Sequence, residues 1–222
     1  TLVGGHTIEG PQMAAGFTVN GAAPPADLWH KSGARPGDVL ILTKSLGTGI
    51  QLAGLMHDLS RGPWLDATLD SMLRSNGLAR DAMAPLAPNA CTDITGFGLL
   101  GHLLELCEQS NLDARLDGDG LSLLPGTEEL VARGVVSTLK PANDQVLTRC
   151  EHRDIADDDP RLAAATDPQT SGGLLFSVDP GLRDAALAAL TQAGVKAAVI
   201  GDMSVKDHKA LTCITLNRNA PC

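Results

Sequence analysis

Residues 91–102 read Cys91-Thr92-Asp93-Ile94-Thr95-Gly96-Phe97-Gly98-Leu99-Leu100-Gly101-His102, a short polar segment that runs into a glycine-rich turn and then an apolar helix. Leu99, Leu103 and Leu106 recur at the spacing of one helix face, which predicts a helix with a broad buried side. The same spacing places His102, Glu105 and Glu108 on the opposite, polar face.

The two glycines of this stretch indicate where the helix begins. Gly96 and Gly98 would destabilise a helix interior, so we expect them at its start, where the backbone turns tightly or approaches another segment closely. Unpaired N–H groups at a helix start attract anions. Asp93 would repel a bare phosphate but could hold one through Mg²⁺, whose sites combine one or two carboxylates with phosphate oxygens. The alternative from spacing alone is that Asp93 is a solvated loop acid and Thr95 an N-cap.

Composition limits the partners of the chain. The net charge of −9 argues against recognition of nucleic acid or an anionic membrane through a basic surface. We interpret the acidic run at 157–159 as a solvated loop and not a metal site. The five cysteines show no CxxC spacing, which predicts reduced thiols and a cytoplasmic location. We find no apolar run of about 18 residues and no signal peptide, so no membrane partner is expected.

The order of predicted elements indicates an α/β (α+β) fold, a layered mixed sheet with helices packed on it. The apolar run 39–43 follows a Pro-Gly turn and predicts a buried strand. Further strands are expected at 2–3, 15–19, 114–116, 174–178, 199–200 and 211–216, whereas 134–165 is interpreted as loops with one short helix. The helix expected after Pro180 should connect two parallel strands.

Three further loops resemble the turn at 91–98, because each is polar, rich in glycine and placed at an element boundary. They are 4–7, 44–49 and 167–173. Ordinary turns remain the alternative for the first two. If the loops bind phosphate, the candidate contributors are Lys44, Thr48, Thr95 and Thr170.

The four motifs together resemble the selenophosphate synthetases (selenide, water dikinases) of the aminoimidazole ribonucleotide synthetase-like superfamily. The motifs are Gly4-Gly5-His6-Thr7, Leu42-Thr43-Lys44-Ser45-Leu46-Gly47-Thr48-Gly49, the stretch Thr92 to His102, and Asp167-Pro168-Gln169-Thr170-Ser171-Gly172-Gly173. The resemblance implies a transferase of selenium metabolism and selenocysteine biosynthesis. Its enzymes form selenophosphate, AMP and phosphate from selenide, ATP and water with Mg²⁺, and they are homodimers.

The resemblance also implies roles for individual residues. Gly4, Gly5 and His6 match an ATP-binding motif, and Asp93 matches a metal ligand. Residues 1–24 would be a remnant of the N-terminal ATP-binding domain, and 25–222 the C-terminal domain, similar to that of aminoimidazole ribonucleotide synthetase. No position matches the family's nucleophile or essential Lys, and we expect Cys91 to be a small buried thiol. We therefore expect an upstream part before Thr1, no catalytic residue in this chain and negligible activity of the chain alone.

Two other functions compete with this interpretation. One is a stand-alone nucleotide-binding or regulatory domain of the same superfamily that lacks catalysis. The other is a related enzyme such as a thiamine-phosphate kinase or a hydrogenase maturation factor, which the motif at 92–102 disfavours. The loop 167–173 carries no assigned ligand role and is expected to be structural.

Overall fold

The computed structural model describes residues 1–153, 155–206 and 214–217. Within these ranges the chain forms one mixed sheet and eight α-helices. The strands are β1 (Val39–Leu42), β2 (Ala90–Asp93), β3 (Leu112–Asp117), β4 (Cys150–Arg153), β5 (Leu174–Val178), β6 (Ala198–Val205) and β7 (Ile214–Asn217). The helices are α1 (Thr48–Met56), α2 (Gly62–Leu73), α3 (Gly77–Met83), α4 (Gly98–Ser110), α5 (Thr127–Ala132), α6 (Lys140–Asn143), α7 (Pro160–Thr166) and α8 (Arg183–Gln192).

The seven strands follow the order β2-β5-β1-β6-β3-β7-β4. Strand β1 is antiparallel to both β5 and β6, so those two strands are parallel to each other and the connection through α8 passes over β1. Strand β7 pairs in parallel with both β3 and β4. The predicted layered mixed sheet and the parallel relation of the strands on either side of α8 are therefore confirmed.

Both faces of the sheet are covered, which explains why β1 is apolar without alternation. Successive strand residues point to opposite faces. Leu40 and Leu42 accordingly pack in the larger core with Leu103 of α4, whereas Ile41 packs in a second core with Met83 of α3 and Leu190 of α8. All six side chains are at most 4 % exposed. Helices on both sides thus fix the position of the strand that leads into the loop at 44–49.

Helix α4 confirms the prediction made from the 91–102 stretch, with two corrections. Gly98 begins the helix with φ +69°, and a Cβ built there would lie 2.8 Å from the carbonyl carbon of Thr166. The glycine therefore permits close packing at a backbone conformation that other residues rarely adopt. The cap position is Phe97, not Thr95. His102 was expected on the polar face, but it is 5 % exposed because the Phe97 ring and the turn before α4 cover it.

The prediction of strands at 2–3 and 15–19 is wrong. Residues 1–24 contain no helix or strand, and Leu2, Phe17 and Val19 are each at least 90 % exposed. A strand requires a neighbour for its N–H and C=O groups, and none of the described strands pairs with this segment. The division of the chain near residue 25 stays a prediction. Strands β2 and β4 were not predicted, because their polar residues interrupt the apolar pattern that marks a buried strand.

The structure describes only part of the last predicted strand. Of the strand predicted at 211–216, residues 214–216 belong to β7 and 211–213 lie outside the described residues. No helix in the described part of the chain is long and apolar enough to cross a membrane.

Candidate functional site

Three of the four glycine-rich loops meet at one edge of the sheet. Asp93, the last residue of β2, pairs with Leu174 at the start of β5. On the other side of Leu174, its carbonyl oxygen accepts a hydrogen bond from the Thr43 N–H at 3.1 Å. Because neighbouring strands are about 4.8 Å apart, the backbones of Asp93 and Thr43 lie about 10 Å apart, with the loop 167–173 arriving between them. Sheet topology thus gathers residues that are up to 131 positions apart in sequence.

Asp93 is exposed at this edge. Hydrogen bonds with the 167–173 loop fix the backbone of the two residues that follow it. The Ile94 N–H donates to the Gly173 carbonyl and the Gln169 N–H donates to the Thr95 carbonyl, each at 2.9 Å. Gly172 lies against the same segment, since a Cβ built on it would be 2.0 Å from the Ile94 carbonyl oxygen. The carboxylate of Asp93 therefore faces solvent from a backbone that is fixed on one side.

The start of α1 is filled by side chains of the chain itself. The Gln169 Oε1 atom accepts from the N–H groups of Gly47 and Thr48 and from the Thr48 hydroxyl, at 3.0 to 3.2 Å. The Asp167 carboxylate accepts from the Ile50 N–H at 3.0 Å. A helix N-terminus favours an anion, and here the chain supplies its own carboxylate. The side chains of Asp167 and Gln169 thus occupy the anion site that we predicted for the 44–49 turn.

Thr48 is accordingly an internal residue. Its side chain is 1 % exposed, and its hydroxyl also accepts from the Thr170 N–H at 2.8 Å. We do not retain Thr48 as a phosphate ligand. Thr170 itself is exposed at the tip of the loop. Asp167 is fully buried, and burial raises its pKa to about 6 in spite of the hydrogen bond from Ile50. The expected structural role of the 167–173 loop agrees with this geometry.

Lys44 is half-buried and ties two loops together. Its ammonium donates to the carbonyl oxygens of Arg74 and Ser171, both at 2.8 Å. Arg74 is the C-cap residue that follows α2, so Lys44 satisfies a carbonyl that the helix leaves without a partner. Burial, together with the nearby Arg74 charge, lowers the pKa of Lys44.

His102 anchors the turn that carries Thr95. The Nε2 atom of His102 lies 3.2 Å from the Thr95 hydroxyl, and Nδ1 lies 3.3 Å from a Glu105 carboxylate oxygen, which also accepts from Lys31. Burial lowers the pKa of His102. The Nε2 atom of the neutral ring and the Thr95 hydroxyl share a hydrogen bond in which the ring tautomer sets the donor. Sequence spacing missed this contact, because it placed His102 on the solvent side.

The Gly-Gly-His motif lies apart from this edge. Gly4, Gly5 and His6 are exposed in a segment without helix or strand, and a Cβ built on either glycine would meet nothing within 4 Å. Cys91 is half-buried, and burial, with the Asp93 charge, raises its pKa to about 12. A thiol that stays protonated is a poor nucleophile, which agrees with the expected structural role of Cys91.

The residues at the edge fit one part of a phosphate–metal site. Among the described residues no group of three or more His, Cys, Asp or Glu side chains could enclose a metal ion. Mg²⁺ does not require such a cage, because it binds through one or two carboxylates plus substrate phosphates and water. An exposed Asp93 beside a tightly held glycine turn fits that pattern, with Thr95 and Thr170 within the same loop cluster.

Comparison with known proteins indicates the family of this chain. The family described as "AIR synthase related protein, C-terminal domain" matches residues 35–214. The selenide, water dikinase of Geobacter metallireducens is 38 % identical over 200 residues, which cover 90 % of this chain and 58 % of that protein. The enzyme of Treponema denticola is 38 % identical over 220 residues, and the match covers 60 % of that protein. The chain thus spans somewhat less than two thirds of the relatives that it matches.

Solved structures share the fold at low sequence identity. Thiamine-monophosphate kinase from Stenotrophomonas maltophilia superposes with a TM-score of 0.62 at 17 % identity, over 85 % of this chain and 52 % of that one. AaThiL, solved in complex with AMPPCP and TMP, gives 0.52 at 16 % identity over 85 % and 50 % of the two chains. The match over residues 35–214 and the mixed sheet lead to one conclusion: the chain belongs to the AIR synthase related proteins and carries their C-terminal domain.

Proposed function

We propose that this chain forms the C-terminal part of a selenide, water dikinase, an ATP-dependent phosphotransferase that makes selenophosphate from selenide, ATP and water. The observation that carries the proposal is the 38 % identity to the Geobacter metallireducens enzyme over nine tenths of the chain. Thiamine-phosphate kinases share the fold at only 17 % identity, which supports the architecture and not their reaction. AMP, phosphate, a homodimer and a cytoplasmic location belong to the same proposal.

In this proposal Asp93 is the metal ligand of the chain. Its carboxylate is exposed at the sheet edge, while hydrogen bonds with the 167–173 loop fix the backbone of Ile94 and Thr95. A bound Mg²⁺ would neutralise charge on the phosphates that are transferred. Thr95 and Thr170 would contact phosphate oxygens. Gly4, Gly5 and His6 would contact ATP that is bound mainly by the other subunit of the dimer, since their segment is exposed here.

The chain alone should not catalyse selenophosphate formation. Phosphoryl transfer needs several metal and phosphate contacts at once, and the edge described here supplies one exposed carboxylate. We therefore expect no selenophosphate signal in phosphorus NMR when the 222 residues are mixed with ATP, Mg²⁺ and selenide. A signal above that of the reaction without protein would contradict this part of the proposal.

A chimera tests the function directly. The part of the Geobacter metallireducens enzyme that precedes the match would be fused to this chain, and selenophosphate and AMP would be measured. We expect ATP- and selenide-dependent product. Asp93→Asn in the chimera should lower the rate at least about 100-fold, because it removes charge where negative phosphate must be held. Asp66→Asn, at an exposed position on α2, is the matched control and should keep the rate.

The outcomes separate the two candidate functions. A folded chimera that makes no selenophosphate, beside an active parent enzyme, would refute the dikinase assignment for this chain. If that chimera still bound Mg²⁺-ATP, the alternative of a nucleotide-binding or regulatory domain would replace it. A chimera with Asp93→Asn that retained full turnover at limiting Mg²⁺ would refute the metal role of Asp93 alone.

A further inference from the structure

A cavity of about 420 Å³ lies next to the loop at 44–49. Its walls come from the end of α2 and the turn that follows it, the residues after β1, the segment 123–125 and the connection between α8 and β6. Cavities that hold small organic ligands are typically of about 300 to 1,000 Å³. The size is therefore sufficient for a small organic molecule.

Three cationic side chains line this cavity, namely Lys44, Arg74 and Lys196. They come from three different connecting segments, and no ion pair among the described residues includes any of them. Asp70 is the one carboxylate in the lining. In a chain with a net charge of −9, a cavity with three cations and one acid is a local positive site.

The geometry of Lys44 makes part of this site rigid. Its ammonium is held at 2.8 Å by the carbonyl oxygens of Arg74 and Ser171, which leaves one of its three donors. The Arg74 charge is close enough to lower the pKa of Lys44. An anion placed between these two cations would relieve their repulsion, and an ammonium that is already fixed loses little freedom on binding.

The rest of the lining indicates what the anion is attached to. Ser45 and Ser75 add hydroxyl groups near the cations, whereas Leu78, Leu124 and Val195 form an apolar wall. Inorganic phosphate alone would leave that wall in contact with water. From this combination we propose that the cavity binds a small organic phosphate monoester, with the phosphate at Lys44, Arg74 and Lys196 and the organic group against the apolar wall.

Isothermal titration calorimetry with phenyl phosphate tests this site at low ionic strength in the presence of EDTA. We expect saturable binding to the 222-residue chain, and weaker binding of inorganic phosphate. Arg74→Gln and Lys196→Gln should each weaken binding about three- to fivefold, as expected for loss of one partly exposed charge contact. The matched control is Arg133→Gln, an exposed arginine outside the cavity, which should bind as the parent chain does.

Several results would overturn the proposal. They are no binding of phenyl phosphate, equal affinity for phenyl and inorganic phosphate, or unchanged binding in the Arg74→Gln/Lys196→Gln double variant. Both side chains are exposed, so urea unfolding should confirm that the variants fold. The proposal stands apart from the dikinase function, because EDTA removes the metal and Asp93→Asn should keep phenyl phosphate binding. An inactive chimera would leave this site unaffected.

Discussion

Protonation of the buried Asp167 carboxyl should make this protein more stable as the pH falls below 6. The side chain is fully buried between the start of α1 and its own loop. Its Oδ2 atom accepts from the Ile50 N–H at 3.0 Å and from the Gln169 side-chain amide at 3.2 Å. Burial disfavours the charged form and these hydrogen bonds favour it, and burial prevails, so the pKa rises to about 6.

The size and sign of the effect follow from linkage. A rise from the usual 3.8 to about 6 corresponds to about 3 kcal/mol of unfolding free energy. The folded state binds the proton more tightly than the unfolded state does. This stabilisation is therefore fully present below pH 3.8 and is lost as the pH rises through 6. Between pH 4.5 and 7.5 the loss should amount to about 2 kcal/mol.

Urea unfolding of the parent chain and of Asp167→Asn measures the effect. Other carboxyl groups titrate in both proteins, so the difference between the two unfolding free energies isolates Asp167. Relative to Asp167→Asn, the parent should become less stable by about 2 kcal/mol from pH 4.5 to 7.5. A difference that stays constant, or that favours the parent as the pH rises, would show that the α1 N-terminus outweighs burial and would refute the reasoning.

Three further changes test the packing of the site. Gly172→Ala should destabilise the chain by about 3 kcal/mol in urea unfolding, because the new Cβ would lie 2.0 Å from the Ile94 carbonyl oxygen. The control is Gly96→Ala, where a Cβ would meet no atom within 4 Å, and it should change the unfolding free energy by less than about 1 kcal/mol. The imidazole of His102 should titrate below pH 6.5 in proton NMR, since burial lowers its pKa, and a midpoint above 6.5 would contradict its assigned environment. Cys107, fully buried with its pKa raised by burial to about 12, should resist iodoacetamide at pH 8 until urea is added, and rapid labelling of that peptide in the native protein would refute its burial.

Periodicity predicted the elements that carry long apolar runs. Strand β1 and helix α4 were correctly predicted because local spacing follows directly from whether a residue faces a core. The strands expected at 2–3 and 15–19 failed for a related reason, since apolar residues favour a strand only if a neighbouring strand is present. Strand β2, with Cys91 and Asp93, was missed because its stability comes from pairing with β5 and not from its own sequence.

The candidate site was only partly predictable. Glycine-rich loops at element boundaries were visible in the sequence, and the structure brings 44–49, 93–98 and 167–173 together. Which polar group lies inside and which faces solvent was not visible. Thr48 and Asp167 are buried and paired within the chain, whereas Asp93 is exposed, although all three belong to similar polar, glycine-rich motifs.

Motifs and periodicity are local properties, so the family of this protein, its layered α/β class and Asp93 as the candidate metal ligand could be inferred from the order of residues alone. Only the folded chain shows that Asp167 and Gln169 fill the start of α1, that His102 supports the Thr95 turn, and that three cations from separate connecting segments line one cavity. These arrangements depend on residues far apart in the chain. The physical reason is that burial and pairing are fixed only when the sheet places its loops side by side.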